Sequence, residues 1–431
     1  MPSILLRHVR AIDPAEPSDM VLDAGIADGK IRRKGLRDVR WDETVDCDGR
    51  LILSPGFVDA HVHLREPGSE ASETIETGTR AAAAGGFAAI AAMPNTDPPP
   101  DSPERVRALF ERIRARAAVR VFVVGTLTEG RKGERPASIE AMAEAGAIAF
   151  SDDGAWIADT GVMQACLRAC KAAGRPAITH AEDPSVSGAG VLNEGEIARA
   201  LGVSGIPPAA EEIATFRDVC LAAATGARLH VAHVSTALAA GIVREAKARG
   251  APVTAETAPH YISLTEEDAR SCGANAKMKP PLRTAADREA LRAALADGTI
   301  DAVATDHAPH AGKDAASPLA AAPFGVVGLE TALGVLATHL LAARPREPGK
   351  LSWLSLLACL TTGPARVLGI PRPSLSDGAP ADAVLFDPDA RATVDPARFF
   401  SKGRNTPFAG VSLRTRVIRT WVEGRGVYRA P

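Results

Sequence analysis

Short apolar runs recur along the chain, separated by stretches in which apolar positions return at helical spacing. Phe57–His61, Phe87–Met93, Val119–Gly125, Ala147–Phe150, Pro176–His180, Arg228–His233, Val253–Glu256 and Asp301–Thr305 read as eight strands, because each is short, apolar and bounded by turn-forming or polar residues. Helical patterns lie across 101–117, 160–173, 209–224, 236–249 and near 285–297. Ser102 can cap the first of these, with Pro103 in its first turn. Strands alternating with helices predict an α/β fold, a (β/α)8 TIM barrel. A doubly wound open sheet is the competing architecture, but no GxGxxG follows an early strand. The non-repeating stretch 257–285 reads as an extended loop over the barrel mouth, a length that usually serves function.

The two ends have a different texture. Ser3–Val9, Gly25–Arg33 and Cys47–Leu53 read as short strands and turns, and so do Ala383–Phe386, Val411–Arg416 and Val417–Val422. They are expected to pair into one small β domain built from both chain ends. The predicted division is 1–54 and 373–431 for that domain and 55–372 for the barrel.

Composition narrows the function. The chain has 431 residues, with 50 Lys and Arg against 52 Asp and Glu, a net charge of −2. With no basic or acidic tract, neither nucleic acid nor a membrane surface is an expected partner. Aromatic residues make up 4%, so small side chains must fill much of the interior. Of the six cysteines only Cys166 and Cys170 are close, at a spacing that fits one helix face. They read as buried thiols, since four clustered ligands for structural zinc are missing. No basic-then-apolar leader and no apolar run near membrane-spanning length occurs, so a cytoplasmic protein is expected.

The candidate chemistry sits at the strand ends. His61 and His63 end the first strand, Asp153 follows the fourth, His180 and His233 end the fifth and sixth, and Asp306 follows the eighth. In a barrel these ends face one mouth, so six ligand-type side chains converge there. His-x-His on a strand puts both imidazoles on one face. Imidazoles and carboxylates together suit one zinc ion or a bridged pair, with Asp153 placed to span two ions. His8, His230 and His339 lack this context and read as structural.

Five blocks stand out, GFVDAHVHLREPG at 56–68, MPNTDP at 93–98, FSDDG at 150–154, TDHAPH at 305–310 and APFGVVGLET at 322–331. With these blocks in place, the chain resembles the class I dihydroorotases of the amidohydrolase superfamily, over nearly its whole length. TTGPARVLGI at 361–370, GAPADAVLFDP at 378–388 and SKGRNTPFAG at 401–410 add to the resemblance. It implies His61, His63 and Asp306 as ligands of a first zinc, His180 and His233 as ligands of a second, and Asp153 as the bridge. Related enzymes bridge with a carboxylated lysine, and the fourth strand here has none. The resemblance thus implies two zinc ions per subunit, the second site being the one open to partial occupancy. Arg65 and Asn95 resemble the family's clamp for the substrate carboxylate, and His310 a further substrate contact. NAKMKPPLR, Asn275 to Arg283, matches a substrate-contacting segment, with Asn275 and Lys279 as contacts. Lys279 is a departure, since the family usually has Asn before the Pro-Pro pair. An ammonium there is expected to favour an anionic substrate, but it cannot reproduce the donor and acceptor of an amide.

The implied reaction is the reversible interconversion of N-carbamoyl-L-aspartate and L-dihydroorotate plus water, a step of pyrimidine synthesis. Zinc lowers the pKa of bound water, hydroxide attacks the ring amide, and Asp306 shuttles the proton. A hydantoinase or allantoinase is the neighbouring alternative, and it usually carries the absent lysine bridge. A silent homologue that scaffolds aspartate carbamoyltransferase is the alternative of another class, and it typically loses ligands that are intact here. The resemblance also implies a homodimer and leaves a carbamoyltransferase complex open.

Overall fold

The computed structural model describes residues 2–341 and 349–431. Eight parallel strands form one sheet, in sequence order from Phe57–Val62 through Phe87–Ala92, Arg120–Gly125, Ala149–Ser151, Ala177–Thr179, Leu229–Val231 and Val253–Thr257 to Ala302–Val303. The sheet closes on itself, because Val62 bridges His307 in parallel and the His63 N–H donates to the His307 carbonyl at 2.9 Å. The fold is thus the expected (β/α)8 barrel, with every predicted strand present.

Small side chains do much of the filling. Val58, Ala60, Ala89, Ala91, Ala149, Ala232 and Ala302 belong to one buried cluster that Val367 and Leu368 join from helix Thr362–Leu368. Larger side chains, among them Ile75, Val106, Leu167, Val243 and Leu291, pack helices against the outer face of the strands. Ser102 caps helix Pro103–Arg116 as its sequence predicts, accepting from the Arg105 N–H. Cys166 and Cys170 are buried on helix Thr160–Ala172, and burial pushes the Cys166 thiol up to about 12, so both stay protonated.

Strands from both chain ends share a second sheet. Ile52–Pro55 pairs antiparallel with Ala383–Thr393, which pairs with Ser412–Val422 and so with Arg425–Arg429. On its other side Ile52–Pro55 joins Ile4–Asp13, then Ser18–Ala27 and Lys30–Arg32. Cys47–Leu53 holds a turn and the start of a strand. Glu43–Asp46 and Ile52–Pro55 flank a turn at Asp48 and Gly49, both with positive φ. Val411–Arg416 and Val417–Val422 form one strand, kinked where Thr415 takes φ 75° and the register slips. The 257–285 stretch contains helix Pro259–Ser263 and several single turns rather than a featureless loop.

Candidate metal centre

All six predicted ligands come together, buried, at the mouth where the strands end. Asp153 is the hub. Its Oδ1 lies 3.3 Å from His61 Nε2, 3.5 Å from His180 Nδ1 and 3.7 Å from His233 Nε2, and its Oδ2 lies 3.6 Å from His63 Nε2. Asp306 Oδ1 lies 3.0 Å from His63 Nε2 and 3.6 Å from His61 Nε2. Atoms bound 2.0–2.1 Å from a tetrahedral zinc sit about 3.3 Å from one another. The ligand-atom separations here, 2.9 to 3.7 Å, bracket that spacing. Among the described residues, two groups bring their ligand atoms within 4.8 Å of one another, His61 with His63 and Asp306, and His61 with Asp153 and His233. His180 enters through its 2.9 Å approach to His233 Nε2.

The residues fit a divalent cation on their own chemistry. Among the described residues, His61 Nε2 and Asp153 Oδ1 are buried without an aligned hydrogen bond, although they face each other. Burial alone would raise the Asp153 pKa. The neighbouring His61 charge and the close ring nitrogens of His180, His233 and His61 overcome it and hold the carboxyl well below its usual range. Asp306 is lowered the same way, with burial outweighed by His63 and His61. Burial pushes His61 down, but Asp153, Glu256 and Asp306 together carry it well above the usual imidazole value. Two charged carboxylates thus call for positive charge at the one point where ligand nitrogens converge.

Local backbone conformation aims these groups. His233 and Asp306 adopt left-handed φ values of 38° and 47°, and Arg65 takes 59°. Each such non-glycine residue costs on the order of 1 kcal/mol, a strain that clusters at functional sites. Behind the ligands, Glu256 accepts from His61 Nδ1 at 3.1 Å and pairs with His230 Nε2 at 3.1 Å. His230 is therefore no ligand but the far end of a brace. Asp59 accepts from the Thr305 N–H and hydroxyl, fixing the strand that carries Asp306. Next to that ligand, His307 lies between Glu73 Oε2 at 3.3 Å and the Gly328 N–H at 3.2 Å.

The substrate-type residues line the same mouth. Arg65 donates from Nε to the Pro309 carbonyl at 3.2 Å and lies 3.4 Å from His310 Nε2. His310 donates from Nε2 to the Phe324 carbonyl at 2.6 Å, and burial with the Arg65 charge pushes its pKa down to about 3, so it is neutral. Gly325 is required beside it, since φ is +122° and a Cβ would sit 2.5 Å from that of Ala308. Asn95 has both amide atoms engaged, accepting from His63 Nδ1 at 2.7 Å and donating to Asp153 Oδ2 at 3.3 Å. Asn275 is buried, and its Oδ1 has no hydrogen-bond partner among the described residues. The Lys279 ammonium bonds Glu182 Oε1 at 2.7 Å, a partner the sequence did not announce.

The Dihydro-orotase-like family matches residues 49–238. The dihydroorotase of Pelotomaculum thermopropionicum is 47% identical over 425 residues, 98% of each chain. That of Syntrophotalea carbinolica is 46% identical over 427 residues, 99% of each chain. Among solved structures, the L-hydantoinase (dihydropyrimidinase) of Arthrobacter aurescens superposes with a TM-score of 0.86 at 26% identity, covering 100% of this chain and 96% of that one.

Proposed function

The chain belongs to the dihydroorotase family, and from that premise we propose how its mouth works as a cyclic-amide hydrolase that interconverts N-carbamoyl-L-aspartate and L-dihydroorotate plus water. The observation that carries the proposal is Asp153, a buried carboxylate within 3.3–3.7 Å of four imidazoles. That arrangement supports two zinc ions per subunit, with His61, His63 and Asp306 on one side, His180 and His233 on the other, and Asp153 between. Zinc held there supplies an activated water and polarises the ring amide carbonyl.

The chain's own residues do the rest. Asp306, lying 3.0 Å from His63 Nε2 and kept charged, takes a proton from the attacking water. It delivers that proton to the ring nitrogen as the C–N bond breaks. In the synthetic direction Asp306 removes the carbamoyl proton, the nitrogen attacks the carboxyl carbon, and Asp306 returns the proton to the departing hydroxyl as the C–O bond breaks and water leaves. The Arg65 guanidinium binds the substrate carboxylate through parallel charged hydrogen bonds, with Asn95, Asn275 and neutral His310 around it. Asn95, already tied to His63 and Asp153, couples this clamp to the metal ligands.

The test is turnover of L-dihydroorotate against hydantoin and allantoin by zinc-loaded protein. Dihydroorotate is expected to be preferred by orders of magnitude, and a preference for either other ring overturns the assignment. No described helix is long and apolar enough to cross a membrane. A cytoplasmic location, a homodimer and a complex with aspartate carbamoyltransferase complete the proposal, the last two testable by sedimentation with and without that enzyme.

A further inference from the structure

Three loops that border the mouth meet at one side chain. Lys279, on the segment after the seventh strand, bonds Glu182 from the loop after the fifth strand at 2.7 Å. The same ammonium lies 4.9 Å from the ring centroid of Phe324, on the loop after the eighth strand. Glu182 is 6% exposed and Lys279 28%. A carboxylate buried that far needs its counter-charge, and breaking such a pair is strongly destabilising. An ammonium committed to it contributes little attraction for a second anion, because the pair is neutral. Phe324 passes the contact on. Its carbonyl accepts from His310 Nε2 at 2.6 Å, and His310 lies 3.4 Å from Arg65. The Phe324 loop is held from the same segment by a second route, with Lys277 Nζ 4.4 Å from the ring centroid and the Gly325 N–H donating to the Lys277 carbonyl at 3.0 Å.

We infer that Lys279 is a positioning residue, acting with Glu182 to seat the Phe324 loop and, through it, His310 and Arg65, rather than a direct ligand of the substrate carboxylate. This goes beyond the substrate clamp proposed above and rests on it. The buried Glu182 carboxylate and the Lys279 ammonium cancel each other's charge. Lys279 and Glu182 therefore form one unit, and neither is expected to tolerate loss of the other.

The two roles predict opposite signs. A positioning role predicts that Lys279→Met and Glu182→Gln each raise KM for L-dihydroorotate about tenfold with kcat within about twofold. The double variant should be no worse than either single one, and Lys279→Arg should restore most of the loss. Hydrogen exchange of the amides at 321–328 should quicken in both single variants, a readout independent of turnover. A direct contact predicts instead that Glu182→Gln, by freeing the ammonium, leaves KM unchanged or lowers it while Lys279→Met raises it. That result, or unchanged exchange in both variants, overturns the inference. Arg65→Met separates the two levels, because an unchanged KM there means that the clamp itself is wrong, whatever Lys279 does.

Discussion

On the side of the metal centre formed by the first and eighth strands, each ligand imidazole is held at its second ring nitrogen, His61 by Glu256 at 3.1 Å and His63 by Asn95 at 2.7 Å. On the side formed by the fifth and sixth strands, His233 Nδ1 is buried with no hydrogen-bond partner among the described residues, and His180 Nδ1 faces His233 Nε2 at 2.9 Å. A fixed second nitrogen sets tautomer and ring orientation before any ion arrives. The first side is preorganised by the fold, while on the second no described residue holds His233 Nδ1. The same barrel mouth thus offers two half-sites of unequal readiness, sharing Asp153.

The largest effect is expected at Asp306, which belongs to the ready side and in the proposed reaction carries the proton. Asp306→Asn should lower kcat by about 10³-fold or more while circular dichroism and most substrate binding persist. Near-normal turnover would remove it from the chemistry. Next in size is the brace. Glu256→Gln should weaken metal binding at the first site by about tenfold, read from competition with a chelator, because it loses the charge behind His61. An equal loss at both sites would mean that the sides are not distinct. Stepwise chelation should then release zinc in two phases, the His180/His233 ion first, and a single phase would contradict the asymmetry.

The smallest effect concerns acid stability away from the proton chemistry. Burial lowers His260 to about 4, His339 to about 4 and His310 to about 3. Their folded pKa values lie below the unfolded imidazole value, so the unfolded chain takes up more protons as pH falls. The contribution to stability is present above about pH 6.5 and is lost as pH falls toward 4. His339, on helix Ala332–Leu340, separates this from metal loss. His339→Asn should show a smaller drop in Tm between pH 7.5 and 5 than the parent, and an equal drop would contradict the assignment.

The convergence of the six ligand-type residues was legible because each stands where an apolar strand stops, and strand ends in a barrel share one mouth. Their supports were not. Glu256 sits inside VTAET, which reads as one more strand, and its partner His61 is 195 residues away. His230 looked idle for the same reason. Helix Ile75–Ala84 went unread because its run of alanines and Gly78 blur the apolar stripe, although Thr74 supplies a capping box. Lys279 announced itself only as a departure, since nothing in the local pattern points to Glu182, 97 residues earlier. Periodicity and strand termini report local direction, whereas loop-to-loop contacts depend on closure of the whole barrel.

Anomalous scattering at the zinc edge, from crystals soaked with L-dihydroorotate, tests the central claim most directly. The expected result is two peaks flanking the Asp153 carboxylate, the stronger beside His61, His63 and Asp306, with the ligand carboxylate on Arg65. A map with no peak at Asp153, or with the ligand carboxylate away from Arg65, would contradict the account.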